Sequence, residues 1–320
     1  LLPRMERDFA LVAQVHDDLP FMENDAEVAP DSFHWIVRSA AYNRTLFAVP
    51  NAAVPLQDYA TGLHASSLIE DGGTLQIGIG ALGDAVAQGC ILRQHKNGEY
   101  RAIINGLTGV PNEVTTDCGT FEEGLYVSTE MFVNGMMHLI EQGVVKRRVF
   151  DNLVLQQGLN LGVISDAVDA ALYDYASTQG LLPQRLDETS LQQACYWGLL
   201  PQHARLQGDT LVFGDVTCAN DMADPATREA VLAWGEGRRL RHGRILHGGF
   251  FLGPRDFYAK LASLDAAGQE AICMTGVRRT NQLLLDPALY SAQRRNARFI
   301  NTGMIVSLAG AVASDALEDG

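Results

Sequence analysis

The chain has 320 residues, 47% of them hydrophobic, and its 24 basic and 38 acidic side chains give a formal charge of −14. That apolar content can fill the core of a large domain or of two α/β units, whereas the acidic balance argues against nucleic acid as a general partner, because phosphate binding needs a basic surface. No run of about 18 uncharged apolar residues occurs, so no membrane-spanning helix is expected. The N-terminal LLPRMERDFA, charged from Arg4 onward, lacks the apolar core of an export signal, which makes a cytoplasmic location the expectation.

The first strong local pattern is SSLIEDGGTLQIGIGALGDAVAQG, residues 66 to 89. Glu70 to Gly73 reads as a turn and Thr74 to Ile77 as a buried strand; Gly78, Gly80 and Gly83 then form a G-x-G-x-x-G that opens a helix through Ala85, Val86 and Ala87. Glycines let the backbone turn tightly and approach a ligand, and the following helix N-terminus presents N–H donors to a phosphate or carboxylate. A dinucleotide fold also needs an acidic residue about 20 positions further on, at the end of a second strand. After Asp84 the next one is Glu99 in HKNGEYR, where Asn97-Gly98 predicts a hairpin between strands Cys90–Gln94 and Tyr100–Ile104. That is the wrong place for a ribose ligand. A nicotinamide site and a purely structural turn are the alternatives to another kind of ligand loop.

Residues 124 to 135, GLYVSTEMFVNG, predict a strand over Gly124 to Thr129 followed by a helix from Phe132, with Phe132, Met136, Leu139 and Ile140 on one stripe and Gly143 as the stop. Glu130 then stands at a strand-to-helix switch. Two readings are open there: a helix-start carboxylate stabilised by the backbone dipole, or a reactive group at the carboxyl end of a parallel strand, where open α/β sheets place their ligands. Beyond it, SDAVDAALYDYASTQ and LQQACYWGLL read as helices and DTLVFGDV as a strand. Arg238, Arg239, Arg241 and Arg244 form the densest basic cluster, suited either to bidentate phosphate contacts or to a solvated surface run.

Other chemistries lack their residues. The five cysteines, at 90, 118, 195, 218 and 273, are scattered without a C-x-x-C pair, a pattern of reduced thiols rather than of disulfides or zinc. Cys118 in TTDCGT reads as a loop thiol. The histidines make no H-x-x-x-H or H-E-x-x-H spacing, so no metal is expected. His247 in HGGFFLGP is similar to a lipase oxyanion loop, but no serine lies in G-x-S-x-G. There is no P-loop, internal repeat or low-complexity tract.

LIEDGGTLQIGIGALGDAV followed by STEMFVNGMMHLIEQGVV resembles the paired signature of the acetyl-CoA hydrolase/transferase family, which includes acetate, butyrate and 4-hydroxybutyrate CoA-transferases. GRILHGGFFLGPRDFYAKL and NARFINTGMIVSLAGAVASDALEDG resemble its later segments, and VAQVHDDLPFM the end of its first domain, so the likeness spans roughly 8 to 90, 124 to 150 and 241 to 320. It implies an α/β fold with an open, mostly parallel sheet flanked by helices. Residues 1–62 would be the tail of a first CoA-transferase-like domain. Residues 63–320 would be a second, catalytic one, with insertions at about 91–123 and 151–240. The second insertion would serve as a lid or a subunit contact. The family continues past the position of Gly320 into a glycine-rich motif with a second oxyanion donor, which implies an internal piece of a longer protein, incomplete at the C-terminus.

The resemblance also assigns roles. Glu130 matches the nucleophile that attacks an acyl-CoA thioester, and Asn301 in FINTG an oxyanion donor, although an Asn ending a strand needs no such role. Gly78, Ile79, Gly80 and Gly83 would line the CoA or acyl site together with Gly248 and Gly249. Many members carry proline where this chain has Gly83, a change that frees the loop without removing its donors. The implied substrates are coenzyme A, as its acyl thioester, and a short-chain carboxylate, with no tightly bound cofactor, no nucleic acid or membrane partner, and a homodimer as the expected assembly. A CoA-transferase of acetate metabolism, an acetyl-CoA hydrolase and a non-catalytic CoA-binding module are the readings in play.

Overall fold

The computed structural model describes residues 9–44, 46–49, 53–108, 118–282 and 284–314. Residues 1–8 of the N-terminal segment, 109–117 of the first expected insertion and 315–320 of the last family-like stretch lie outside them. The chain divides into two compact units: 1–147 with 246–282 and 296–320, and 148–245 with 283–295.

The first unit begins with a parallel pair, β1 (Val12–Gln14) and β2 (Trp35–Val37). It continues with α1 (Leu56–Ser66), β3 (Thr74–Ile77), α2 (Ala81–His95), α3 (Asn97–Thr108), β4 (Tyr126–Phe132) and α4 (Asn134–Glu141). The second unit contributes α5 (Leu153–Asn160), α6 (Ala170–Thr178), α7 (Glu188–Trp197), the antiparallel sheet β5 (Arg205–Gln207), β6 (Thr210–Phe213) and β7 (Val216–Ala219), and α8 (Pro225–Gly235). The chain then returns to the first unit as β8 (Leu246–Phe251), α9 (Arg255–Ala262), α10 (Ala266–Ala271), β9 (Ile272–Met274) and α11 (Val277–Asn281). After α12 (Pro287–Gln293) in the second unit come β10 (Arg298–Ile300) and a short hairpin, β11 (Ile305–Val306) with β12 (Val312–Ala313).

The first unit is an α/β structure around a five-stranded sheet in the order β10-β3-β4-β8-β9, with every neighbouring pair parallel. Its inner strands are largely buried, as parallel strands covered by helices are: Leu75, Ile77, Val127, Phe132 and Leu246 are all at most 1% exposed, whereas β10 at the edge has no buried residue. α1 and α2 pack without room for a side chain between them, since a Cβ at Gly62 would lie 2.6 Å from the Ala85 carbonyl carbon. The second unit has its own core, in which Phe150, Leu172, Trp197, Leu211 and Leu240 meet. Among the described residues no helix is long and apolar enough to cross a membrane.

The strand Thr74–Ile77 and the stop at Gly143, in the left-handed region at φ 67°, match the sequence reading. Two other readings are corrected. The predicted hairpin at Asn97-Gly98 is a junction between two helices, because the inward groups recur at helical spacing: Cys90 and Arg93, then Tyr100 and Ile104, are all buried. The Asn97 side chain donates to the Arg93 and Cys118 carbonyls instead of making a hairpin turn. Arg93 itself donates to the Ser66, Ile69 and Gly119 carbonyls beneath the Phe121 ring. The second correction concerns β4, which starts later and runs further than predicted. Met131 and Phe132 pair with Phe250 and Phe251 of β8, so the partner strand delays the helix to Asn134.

The entry to β4 is held by one side chain. The Asp71 carboxylate accepts hydrogen bonds of 2.8–2.9 Å from the backbone N–H groups of Gly72, Glu122, Glu123 and Gly124, tying the turn before β3 to the loop before β4. Hydrogen bonds to a charged acceptor each contribute ~1.5–3 kcal/mol, less than additively when they share one group. Asp71→Ala is therefore expected to destabilise the protein by about 2–4 kcal/mol, read as a lower urea midpoint with an unchanged slope. An unchanged midpoint would mean that the loop holds itself.

Candidate functional site

All five strands of the central sheet point the same way, so their carboxyl ends share one edge. Along that edge the register aligns residues from four strands. Ile300 pairs with Ile77, Leu75 with Val127, and Thr129 with Gly248. Carried forward, the same register sets Asn301, Gly78, Glu130 and Gly249 at one level across β10, β3, β4 and β8.

Glu130 is the exposed member of β4, following four buried residues, Tyr126 to Thr129. It precedes Asn134, where α4 begins, and α4 has no acidic residue in its first turn. The helix-start reading of this carboxylate therefore fails, and so does its placement at the switch itself: Glu130 belongs to the strand. Its carboxylate accepts a 2.7 Å hydrogen bond from Asn281 Nδ2. Asn281 ends α11, which packs across β8 and β4. A neutral amide orients the carboxylate without bringing the countercharge that an arginine partner would.

The glycines explain how close these pieces come. A Cβ at Gly249 would lie 2.8 Å from the Glu130 carbonyl oxygen and 2.9 Å from Val277 Cγ2, so β4 and α11 both press on that position. A Cβ at Gly248 would lie 3.0 Å from Met274 Cε. On the other side, Gly80 takes φ 107°, a conformation open to glycine, just before α2 starts at Ala81. A Cβ at Gly83 would overlap the Gly78 carbonyl oxygen. Ile79 is exposed between these glycines.

Asn301 follows β10 at the edge of the sheet, and its Oδ1 accepts from Gln76 Nε2 at 3.0 Å while the Gly78 N–H donates to the Ile300 carbonyl at 3.0 Å. It thus adjoins the glycine loop. From Glu130 it is two strands away, about 10 Å at normal strand spacing. The amide that touches Glu130 is Asn281, which the sequence reading did not single out: VRRTNQ has no spacing signal, and 151 positions separate the partners.

Other groups considered from sequence lie elsewhere. His247 is buried in β8, and its Nδ1 is 2.7 Å from the Tyr126 hydroxyl, so it belongs to the sheet interior and not to an open loop. Burial pushes the Cys90 thiol up to about 12, which leaves it a packing group. Cys118 is half-buried, and its carbonyl accepts from Asn97 and Arg101. Of the four clustered arginines, Arg239 pairs with Asp166, Arg238 lies over Trp234, and Arg244 is buried, its backbone paired with Val149.

No family model matches the chain. Over part of its length it is similar to CoA-transferases. It is 31% identical over 135 residues, 42% of this chain and 22% of the relative, to a succinyl-CoA:acetate/propanoyl-CoA:succinate CoA transferase of Fasciola hepatica. It is 26% identical over 146 residues, 46% of this chain and 27% of the relative, to a 4-hydroxybutyrate coenzyme A transferase of Clostridium kluyveri. The chain thus spans about a quarter of the length of the curated relatives it matches. Among solved structures, RipA from Yersinia pestis aligns over 95% of this chain and 40% of its own, at 15% identity and a TM-score of 0.48.

The contact of Gly249 with both Glu130 and α11 is testable. Gly249→Ala forces a methyl group into filled space, at a cost of about 1–3 kcal/mol for overpacking, and is expected to lower the melting temperature. A variant as stable as wild type would show that α11 does not press on the strand.

Proposed function

We propose that the protein transfers CoA between an acyl-CoA and a small carboxylic acid through a thioester on Glu130. The observation that carries this reading is the Glu130 carboxylate itself: exposed at the carboxyl edge of a parallel sheet and oriented by the neutral amide of Asn281. The partial similarity to CoA-transferases supports the reaction class.

In the proposed cycle a Glu130 oxygen attacks the acyl carbonyl, the carbon–sulfur bond breaks, and CoA leaves as thiolate from an acyl-glutamyl anhydride. The thiolate attacks the glutamyl carbonyl, releasing the first acid and forming glutamyl-CoA. An acceptor carboxylate then attacks that thioester, giving a new anhydride and thiolate. Attack of the thiolate on the new acyl group forms the product and restores Glu130. Each addition builds charge on a carbonyl oxygen, which a positioned donor stabilises. Asn281 is the amide nearest the nucleophile. Asn301, with Gly78, Ile79, Gly80 and Gly83, borders the acyl or CoA side, and Gly248 and Gly249 allow close approach from the other. Holding a weak nucleophile against a bound thioester supplies the reactivity that a free carboxylate lacks.

The exposure of Glu130 also favours a second reading, an acyl-CoA hydrolase, because water reaches the same intermediate. Glu130→Gln keeps the volume and an oxygen for Asn281 but cannot form an anhydride. It is expected to abolish both activities. Asn281→Ala is expected to lower kcat by about 10²–10³-fold, the range for loss of one such donor, and more than Asn301→Ala. Borohydride added after acyl-CoA should reduce the thioester to an alcohol on the peptide containing STEMF, seen by mass spectrometry. CoA exchange into an added acid faster than free CoA release identifies a transferase; acceptor-independent release identifies the hydrolase. Full activity in Glu130→Gln, or a mass change on another peptide, would overturn the mechanism.

A further inference from the structure

The second unit holds a cleft of about 530 Å³ whose lining includes Gln202, His203, Trp234, Arg238, Arg239 and Arg241. In a chain of formal charge −14 this is an unusual concentration of guanidinium groups. Their surroundings hold them in place. The Arg238 guanidinium carbon lies 4.8 Å from the Trp234 ring centre, and its Nε donates to the Trp234 carbonyl at 2.7 Å. That leaves its two terminal amino groups without a hydrogen-bond partner among the described residues. The Arg241 stem packs on Gly198, where a Cβ would lie 2.8 Å from Cγ, and its guanidinium faces the Gln202 side-chain amide, a neutral group whose oxygen accepts from it once the amide is turned to satisfy both partners. Arg239 contacts both oxygens of Asp166 through one terminal nitrogen at 3.1 Å. Glu229 and Glu236 line a neighbouring groove that Arg238 and Arg239 also border, and are not in the lining of this cleft. The cleft lining thus holds three guanidinium groups and no carboxylate, and of the three only Arg239 is ion-paired among the described residues.

We propose that this cleft binds a ligand carrying two or more phosphate groups. Planar guanidinium forks match phosphate oxygens in pairs and are weakly hydrated, so they bind such groups at low desolvation cost. The stacking and packing already restrict Arg238 and Arg241, which lowers the entropy lost on binding. The volume falls in the range of small-molecule pockets, ~300–1,000 Å³, well beyond a single phosphate. The site is independent of the carboxylate chemistry proposed for Glu130.

Calorimetry on the full chain tests it, with sodium pyrophosphate and adenosine 3′,5′-bisphosphate as probes. At least one is expected to bind, more weakly as salt rises. Combining Arg238→Ala with Arg241→Ala is expected to weaken binding by about tenfold or more, the loss of at least one charge-assisted contact. Combining Arg238→Lys with Arg241→Lys keeps the charge but not the fork and should fall between, which keeps the test valid should the alanine pair not fold. Glu130→Gln should bind as wild type does, which separates failure here from failure of the proposed reaction. Tighter binding of the bisphosphate assigns the cleft to nucleotide-borne phosphates, and tighter pyrophosphate binding to free polyphosphate. No binding of either probe, or binding untouched by both pairs, overturns the proposal.

Discussion

The parallel register of β10, β3, β4 and β8 is the constraint on which the candidate site depends. Because side chains alternate along a strand, slipping one strand by a single residue would turn Glu130 into the buried sheet and bring Thr129 or Met131 to its place. The register is tied at its start as well as along its length. Asp71 gathers four backbone N–H groups from the segments that lead into β3 and β4, and the Tyr126 N–H donates to the Gly73 carbonyl at 3.1 Å. Buried Arg147 adds a 2.9 Å bond to Thr74 Oγ1. Polar groups at one end of the strands thus determine which residues emerge at the other.

At that other end the backbone itself is the scarce resource. Gly249 and Gly83 are each required because a neighbouring chain occupies the space of a Cβ: the Glu130 carbonyl and Val277 at one, the Gly78 carbonyl at the other. Close approach lets α11 cross the strand ends low enough for Asn281 to reach Glu130. An amide there fixes the direction of the carboxylate without adding a countercharge.

The distribution of charge divides along the two units. In the first, the exposed Glu130 is met by an amide. In the second, three arginines line a cleft that has no carboxylate in its lining, and Arg239 alone of them is ion-paired among the described residues, to Asp166. The net charge of the chain conceals this contrast, because a sum over all residues carries no information about which groups share a surface.

Local patterns made much of the fold legible from sequence. The apolar run Thr74–Ile77 between glycine turns, the helix after Gly80 and the end of α4 at Gly143 each follow from the conformational limits of a few adjacent residues. Asn97-Gly98 has the composition of a hairpin turn, but Cys90, Arg93, Tyr100 and Ile104 repeat at helical spacing on either side of it, and that periodicity prevails. The extent of β4 was not readable, since its last residues are strand only by virtue of β8. Glu130 was legible as a carboxylate near a strand end and, by family resemblance, as a candidate nucleophile; Asn301 was legible beside the glycine loop but not its distance from Glu130. Asn281 was invisible, because a contact between residues 151 positions apart leaves no periodicity behind. The sequence by itself determined the local elements and the types of chemical group available. Tertiary structure alone decided which of those groups meet, because pairing between distant strands depends on the path of the whole chain and not on the preferences of neighbouring residues.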